Sequence, residues 1–486
     1  MNNLKYIILC FVLLCTSSTA FAQKDMNAME EALAQVLNKY SLQADTLAKH
    51  FSKKFRKDAN VQVRLARSYY RNRDQEKAKE YIGKALQINS ECGPAFLLEG
   101  DMAAFNVDTT SAIGFYKRAM DADPKNLDGY LRYIDAVSKK KPEDAVAALE
   151  TMKSFIPDYP AAMVQSNIWY QNQKFDKAIE LFAEMDSTKM DEETMTKYAF
   201  AYFFSHKHKE SLSIAEKANK KYPKRFRITR VLYYDLSELK KYKDALNYGD
   251  SLFMLANSPK KKDEERKLSS LDYTYYGMAC RGVGKYDKAM LRFAEYTKDT
   301  LNSPQDIYAM KNVVKDYVKN IKTGGLYDLA ARSYKLFLDN SDKPLDYDYY
   351  SVTEIYREQA DEAIDLKSEQ EAAYHQLDSA YVIFEREHSK WDQLDAVLYY
   401  HALYNNLIVD PNGAKGTAAN LYQKVIDYEA GKTLGDREKA MLKQAYTYLA
   451  FYHFNNGRKV TGKNYAKKVL AIDKNSQNAK IILNAR

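Results

Sequence analysis

Apolar residues in this chain fall three and four positions apart, in pairs of short runs. Between Asn60 and Ser90 they stand at Leu65, Ala66 and Tyr69, then at Ala78, Ile82 and Ala85. That spacing is one face of an α-helix, written twice with a polar break between. The pattern then recurs. Gly100 is followed after twelve residues by Ala112, after four more by Tyr116, after three more by Ala119 and after five more by Pro124. Similar sets occupy Leu127–Pro157 (Tyr130, Tyr133, Ala145, Leu149), Pro160–Asp186 (Trp169, Ala178, Phe182) and Glu193–Pro223 (Tyr198, Ala199, Tyr202, Ser211, Ala215, Ala218). They return in Phe226–Phe253 (Tyr233, Ala245, Leu252), Leu271–Tyr296 (Tyr276, Gly277, Ala289, Phe293) and Lys443–Lys474 (Leu449, Ala450, Ala466, Val469). Self-similarity at a period of about 34 residues is the mark of a repeat array, not of several globular domains.

These positions resemble the tetratricopeptide repeat. In that family a helical hairpin carries small residues where its helices cross, an aromatic filling the gap to the next hairpin, and a Pro where the second helix stops. The resemblance implies an all-α fold, a right-handed α-solenoid of antiparallel hairpins. Three stretches are more divergent. Ile307–Leu338 keeps Ala330, Tyr334 and Phe337, Asp346–His388 is long enough to need extended helices, and Trp391–Tyr428 keeps Ala418, Tyr422 and Val425. The expected order is a leader over 1–22, a helical cap over 23–57, about six hairpins over 58–256, and a charged connection over 257–270. Hairpins follow over 271–338, longer divergent hairpins over 339–430, a last hairpin over 431–475 and a capping helix over 476–486. Pro94, Pro124, Pro157, Pro160, Pro223, Pro259, Pro304, Pro344 and Pro411 fall at proposed junctions or loops, and Pro142 between the helices of one hairpin.

The first 22 residues read differently. One Lys, the apolar run Tyr6–Cys15 and then Ala20-Phe21-Ala22 before a polar residue form a secretory signal. The run is about half the length of a membrane span. Cleavage after Ala22 sends the rest to a periplasm or cell exterior as a soluble chain, with outer-membrane association or secretion left open. It also removes Cys10 and Cys15. Cys92 and Cys280 remain, too many repeats apart to bridge; Cys280 reads as a small buried residue and Cys92 as a free thiol before a helix start.

Composition agrees with helices. The 486 residues include only 17 Gly and 10 Pro but 41 Tyr, which excludes collagen-like, linker-rich and disordered classes and disfavours an all-β fold. Doublets such as Tyr69-Tyr70, Tyr233-Tyr234 and Tyr275-Tyr276 place one ring between helices and one towards a groove. The net charge is +9. Most of it belongs to His206–Lys267, which holds 17 Lys/Arg against 9 Asp/Glu. This basic surface, centred on Lys217, Lys220, Lys221, Lys224 and Arg225, suits an acidic partner or peripheral contact with anionic lipid. Nucleic acid does not fit the expected compartment.

Catalytic chemistry is not written in the chain. No phosphate-binding Gly loop, His-Glu-x-x-His or paired-Cys zinc spacing occurs, and His206 with His208 lies in a lysine-rich loop. The expectation is no enzyme, no metal and no cofactor. What the resemblance implies is binding of other envelope proteins or peptides on a concave face. Transferring the family's register places Arg64, Arg67, Tyr70 and Arg71 there, then Leu98, Asp101 and Phe105, then Arg132 and Asp135. Asn167, Tyr170, Lys197, Phe200 and Phe204 follow, and finally Arg227, Arg230, Tyr234, Tyr275, Met278 and Arg281. Aromatic and Arg side chains are the usual anchors of recognition. The Lys/Asn/Arg carboxylate clamp of one subset of the family is not matched, since Val63 and Arg67 stand at the first two of its positions.

One further pattern recurs: Asp followed by Ser or Thr, at Thr46, Thr109, Ser187, Ser251, Thr300 and Ser379. It resembles the O-glycosylation triplet of Bacteroidetes secreted proteins; turns and helix caps use the same pair. The functional expectation is an interaction scaffold of the cell envelope. The alternative is a glycan- or nutrient-binding helical-repeat protein, against which the two Trp and the short loops argue.

Overall fold

A computed structural model of the chain describes residues 31, 33–34, 41–258, 266–299, 302–363, 367–411, 413 and 415–485. The leader expected over 1–22 lies outside them, as does half of the charged connection, 259–265. Among the described residues the regular elements are 24 α-helices and one short π-helix. They divide into two compact units between Pro223 and Lys224, so the stretch expected as one array over 58–256 contributes to both.

Unit 1 begins with α1 (Ser41–Lys54) and continues as five hairpins: α2 (Ala59–Arg71) with α3 (Gln75–Ile88), α4 (Gly93–Phe105) with α5 (Thr109–Ala122), α6 (Leu127–Val137) with α7 (Pro142–Phe155), α8 (Ala161–Gln171) with α9 (Phe175–Glu184), and α10 (Glu192–Phe204) with α11 (His208–Lys221). Unit 2 has six: α12 (Phe226–Glu238) with α13 (Tyr242–Asn257), α14 (Ser270–Gly282) with α15 (Tyr286–Lys298), α16 (Pro304–Lys322) with α17 (Tyr327–Asn340), α18 (Asp346–Glu362) with α19 (Lys367–Glu387), α20 (Leu394–Tyr404) with α21 (Thr417–Glu429), and α22 (Asp436–Asn455) with α23 (Lys459–Ile472). The single helix α24 (Gln477–Asn484) closes it. The π-helix, Asn405–Val409, prolongs α20.

Local chemistry starts and stops these helices. Asp58, Asp74, Asp108, Asn126 and Asp191 cap α2, α3, α5, α6 and α10, each side chain accepting from a backbone N–H of the first turn. Pro94, Pro142 and Pro304 sit in first turns, where no N–H is missed. The inner turn of most hairpins holds one residue in the left-handed region: Arg73, Val107, Gln173, His206, Lys240, Gly284, Gly325 and Gly457. The N–H after it returns to the carbonyl five residues back, as from Asp108 to Ala103 and Lys285 to Cys280, the six-to-one bond of a Schellman stop.

Packing is between neighbours within each unit. The crossing of α4 and α5 needs glycine, because a Cβ on Gly100 would lie 2.3 Å from the Tyr116 ring. Gly277 meets Phe293 in the same way in unit 2. First helices of successive hairpins also touch, α2 with α4 and α4 with α6, and in unit 2 α12 with α14 and α14 with α16. The face these first helices share is where the expected groove residues fall. The extended helices anticipated for Asp346–His388 are 17 and 21 residues long. Cys92 and Cys280 are both free, as expected, and both buried.

Candidate functional site

Three first helices of unit 1 build a cleft. Arg67, Tyr70 and Arg71 come from α2, Leu97, Leu98 and Asp101 from α4, and Arg132 from α6; with Asp128 they enclose about 230 Å³. A second cleft of about 480 Å³ lies between α4, α5 and α6 at the inner turn, lined by Ala104, Val107, Thr109, Ala112, Tyr116, Leu131, Asp135 and Ala136. Asp128 and Arg132 line both, so the two clefts adjoin.

Asp101 is the hub. Its Oδ1 accepts from Tyr116 OH at 3.0 Å and pairs with Arg132 at 2.8 Å, while its backbone oxygen accepts from Tyr70 OH at 3.2 Å. Burial pushes its carboxyl above the usual range, and Arg132 and the Tyr116 hydroxyl oppose that shift. Arg67 is half-buried and Arg71 exposed. Neither lies within ion-pair distance of a carboxylate among the described residues, though the Arg67 charge also helps to lower the Asp101 carboxyl. Phe105 stands edge-on to Tyr70 at 6.3 Å and is 64% exposed.

The other expected groove residues of unit 1 form a second group. Lys197 donates to Asn167 Oδ1 at 2.8 Å and pairs with Glu193 at 2.6 Å. Phe204 stacks on Phe175 and Phe200, and Tyr170 meets Phe175 edge-on.

Unit 2 corrects the rest of the set. Tyr234 and Tyr275 were expected to face a groove, yet both are buried and stacked on each other with centroids 4.3 Å apart. Tyr275 donates its hydroxyl to Glu238 at 2.6 Å, and Tyr234 is held by Asp272, whose side chain is 0% exposed. Asp272 accepts from Tyr234 OH at 2.8 Å, from Arg230 Nε at 2.8 Å and from Ser269 N at 2.7 Å. One carboxylate on α14 thus gathers the groove-side residues of α12 and converts them into core. Burial raises the Tyr234 hydroxyl far above its ordinary range, with the Asp272 charge adding to it. Arg227 is exposed and Arg281 half-buried.

The basic surface is likewise divided. Lys217, Lys220 and Lys221 end unit 1, whereas Lys224 and Arg225 begin unit 2. Lys221 is already used, its Nζ donating to the carbonyls of Thr188 and Met190 at 2.7 and 2.8 Å. The Asp-Ser/Thr pairs also separate. Ser187 lies in an exposed turn after α9, and Thr109 is the exposed first residue of α5 on the wall of the larger cleft, where a glycan and a ligand exclude one another. Thr46 is exposed on α1, and Ser379 is exposed within α19. Ser251 is inside α13, its hydroxyl donating to the Asn247 carbonyl. Thr300 lies outside the described residues. Asp45 and Asp250 have a shared packing role: each accepts from a Tyr hydroxyl and a Lys of the following hairpin, Tyr69 with Lys77 and Tyr276 with Lys288.

One cluster was not anticipated. His401 on α20 is 3% exposed and lies between two carboxylates of α19, with Nδ1 2.7 Å from Glu385 and Nε2 2.7 Å from Asp378. Lys424 of α21 pairs with Glu385 at 2.7 Å, and Tyr374 OH and Asn405 Nδ2 reach Asp378. A single His with partners 16 and 23 residues upstream carries no local motif. Among the described residues, no group of three or more His, Cys, Asp or Glu side chains is arranged to hold a metal ion, and no helix is long and apolar enough to cross a membrane.

No family model matches the chain, and no curated protein matches it. Solved structures do align. The C-terminal part of a TPR repeat-containing protein from Cytophaga hutchinsonii is 18% identical and covers 66% of this chain and 100% of its own, with a TM-score of 0.30. A tetratricopeptide repeat protein from Parabacteroides merdae is 13% identical over 52% of this chain and 98% of its own, TM-score 0.35. YrrB, titled a TPR protein with an unusual peptide-binding site, is 18% identical over 37% of this chain and 95% of its own, TM-score 0.31. At these scores the hairpin architecture rests on this chain's own helices and contacts.

Proposed function

We propose that this chain is a non-catalytic scaffold of the cell envelope, and that unit 1 presents its recognition surface. One observation carries the reading. Arg67 and Arg71 line a cleft with no carboxylate within ion-pair distance among the described residues, whereas on the first helices of unit 2 Arg230, Lys311, Lys322 and Arg437 are paired with Asp272, Asp348, Glu358 and Asp395, and Arg227 and Arg281, which are not paired, line none of these clefts. A charge left without a partner at a surface cleft, beside an exposed aromatic, is what an interface anchor requires before its partner arrives. The compartment is supported by the apolar run Tyr6–Cys15 and the small residues that follow it.

A photo-crosslinking amino acid at Phe105, and for contrast at the exposed Val460 of unit 2, tests both parts in the native host. The expected result is discrete adducts from position 105 alone, recovered in the envelope fraction. Equal labelling from both positions removes the assignment to unit 1. Recovery in the cytoplasm removes the envelope.

A further inference from the structure

In unit 2 a cleft of about 200 Å³ opens between two second helices, α17 and α19, with the first helix α18 between them. α17 packs on α18 and α18 on α19. The base of the cleft is apolar: Ala331, Val352 and Phe384 line it and are buried. Tyr349 and Tyr356 of α18 also line it, two helical turns apart and so separated by roughly 10 Å along the axis.

The polar groups around the cleft are satisfied, with one exception. Tyr356 OH donates to Asp328 at 3.2 Å, and Asp328 pairs with Arg332 at 2.8 Å. Tyr349 OH donates to Asp339 at 3.1 Å, and Asp339 pairs with Lys335 at 3.0 Å. His388 is the exception. Its ring lies 4.6 Å from both the Tyr349 and the Phe384 rings, and its Nδ1 is 2.7 Å from Asp346. Its Nε2 has no hydrogen-bond partner among the described residues.

These features select a ligand by size and by charge. An apolar cavity of ~150 Å³ takes a benzene ring, so this one takes one or two rings. The distance from Tyr349 to Tyr356 is too short for an extended long acyl chain. Paired charges at the rim hold nothing in reserve for a charged ligand, and a protein seated over them would strip water from both pairs. We infer that this cleft binds a compact, uncharged aromatic molecule of one or two rings that carries a single hydroxyl. The rings lie on Val352 and against Tyr349 and Tyr356, and the hydroxyl meets His388 Nε2. A hydroxyl both donates and accepts, so it suits that nitrogen with or without a proton.

The test titrates the full chain into 2-naphthol and follows the naphthol emission. Saturable binding of one molecule per chain is expected. Naphthalene, which lacks the hydroxyl, is expected to bind about fivefold more weakly. 2-Naphthoate, which brings a charge into the apolar cleft, is expected to bind at least about tenfold more weakly. His388→Phe keeps a stacked ring and removes both nitrogens. It should lower the affinity for 2-naphthol to that for naphthalene and leave naphthalene unchanged, a pattern that mere loosening of the cleft does not produce. Ala380→Phe, on the cleft wall, should abolish binding. Val382→Phe, at a neighbouring position 50% exposed and outside the lining, should leave it intact. Where Ala380→Phe does not fold, Ile383→Glu at an exposed wall position should give the same loss. No saturable response to 2-naphthol, or an equal loss in Val382→Phe, overturns the site. Tighter binding of 2-naphthoate overturns the requirement for an uncharged ligand. Tighter binding of acetyl-Ala-Tyr-Ala-amide than of 2-naphthol overturns the free molecule in favour of a partner's side chain, and tighter binding of palmitate overturns the compact body.

Discussion

In unit 1 the tyrosine doublet of α2 is split: Tyr69 is buried against Tyr81 and bonded to Asp45, while Tyr70 turns to the cleft and leaves its ring half open. In unit 2 the doublet of α12 is not split. Tyr233 and Tyr234 are both buried, and so are Tyr275 and Tyr276 on α14. The same sequence feature on the same kind of helix gives a half-open cleft wall in one unit and core in the other. The cause is where the next hairpin places a carboxylate. Asp101 is held by the half-exposed Arg132, and Asp272 by Arg230 and Tyr234 with no solvent access. Even the apolar cleft of unit 2, about 200 Å³ between α17, α18 and α19, has Arg332, Lys335 and His388 at its rim already facing Asp328, Asp339 and Asp346. The clefts differ in the same way: the cations at the rim of the unit 2 cleft are paired, whereas Arg67 and Arg71 at the unit 1 cleft have no carboxylate within ion-pair distance among the described residues.

The comparison breaks most readily at the two carboxylates. Asp272→Ala removes the acceptor of a half-buried Arg, a buried Tyr hydroxyl and a helix cap together, and is expected to cost about 3 kcal/mol. Asp101→Ala leaves Arg132 free to turn to water, and about 1 kcal/mol or less is expected. Because a repeat array opens piecewise, hydrogen exchange reads this best: α12 and α14 lose protection in the first variant, α4 and α6 barely change in the second. Equal losses would show that the two faces are built alike.

His401 sharpens the contrast through pH. With both ring nitrogens at carboxylate oxygens, both must donate, and the ring is an imidazolium. Burial alone lowers its affinity for a proton, but the bonds to Asp378 and Glu385 and their charges outweigh it and hold the group above its ordinary 6.5. A folded-state value above the unfolded one gives stability that is complete below 6.5 and lost as pH rises through the raised value. Protection in α19 to α21 is therefore expected to fall as pH rises above 6.5 while unit 1 is unchanged. His401→Gln is expected to flatten that dependence at a cost of about 2 kcal/mol, since Glu385 keeps Lys424 but Asp378 loses its charged partner. A pH response of equal size in unit 1 would exclude His401 as its origin.

The parts of the fold that could be read in advance are those written at short range. Gly100, Ala112, Tyr116 and Ala119 stand within one hairpin, and the structure packs Gly100 under Tyr116 as that spacing implies. Tyr70, Asp101 and Arg132 recur in register on successive first helices and do meet. Tyr234 and Tyr275 misled because their partners are distant in the chain: Asp272 is 38 residues beyond Tyr234 and Glu238 is 37 residues before Tyr275. The Asp-Ser/Thr pairs at Asp45 and Asp250 recur for a packing reason that a triplet cannot display, since their Tyr and Lys partners lie in the following hairpin. His401 has the same difficulty, and the π-helix that follows it changes which side chains face Asp378.

The inner turns separate the units by a smaller amount. Val107→Gly relieves a left-handed β-branched residue and is expected to stabilise unit 1 by about 1 kcal/mol, less the entropy that glycine adds to the unfolded chain. Gly325→Val in unit 2 (φ 77°,) makes the reverse change and is expected to destabilise by a similar amount. Thermal melting of the pair checks the sign. A destabilised Val107→Gly would mean that the valine is held by packing and is not strained.

The smallest expected effect discriminates best. Arg71→Gln should leave stability within about 0.5 kcal/mol of the parent, because the side chain is exposed and no carboxylate relies on it. Arg437→Gln in unit 2 removes the partner of Asp395, whose side chain is nearly inaccessible, paired at 2.6 Å, and about 2 kcal/mol is expected from the carboxylate left behind. Both are arginines on or beside the first turn or last turn of a first helix, and both changes remove one positive charge. If urea unfolding shows the two costs to be equal, Arg71 has a structural partner and unit 1 is closed on itself like unit 2. If Arg71→Gln costs nothing and still abolishes the crosslink at Phe105, its conservation of fold and loss of partner locate the recognition surface on the side of the molecule that left its charges unpaired.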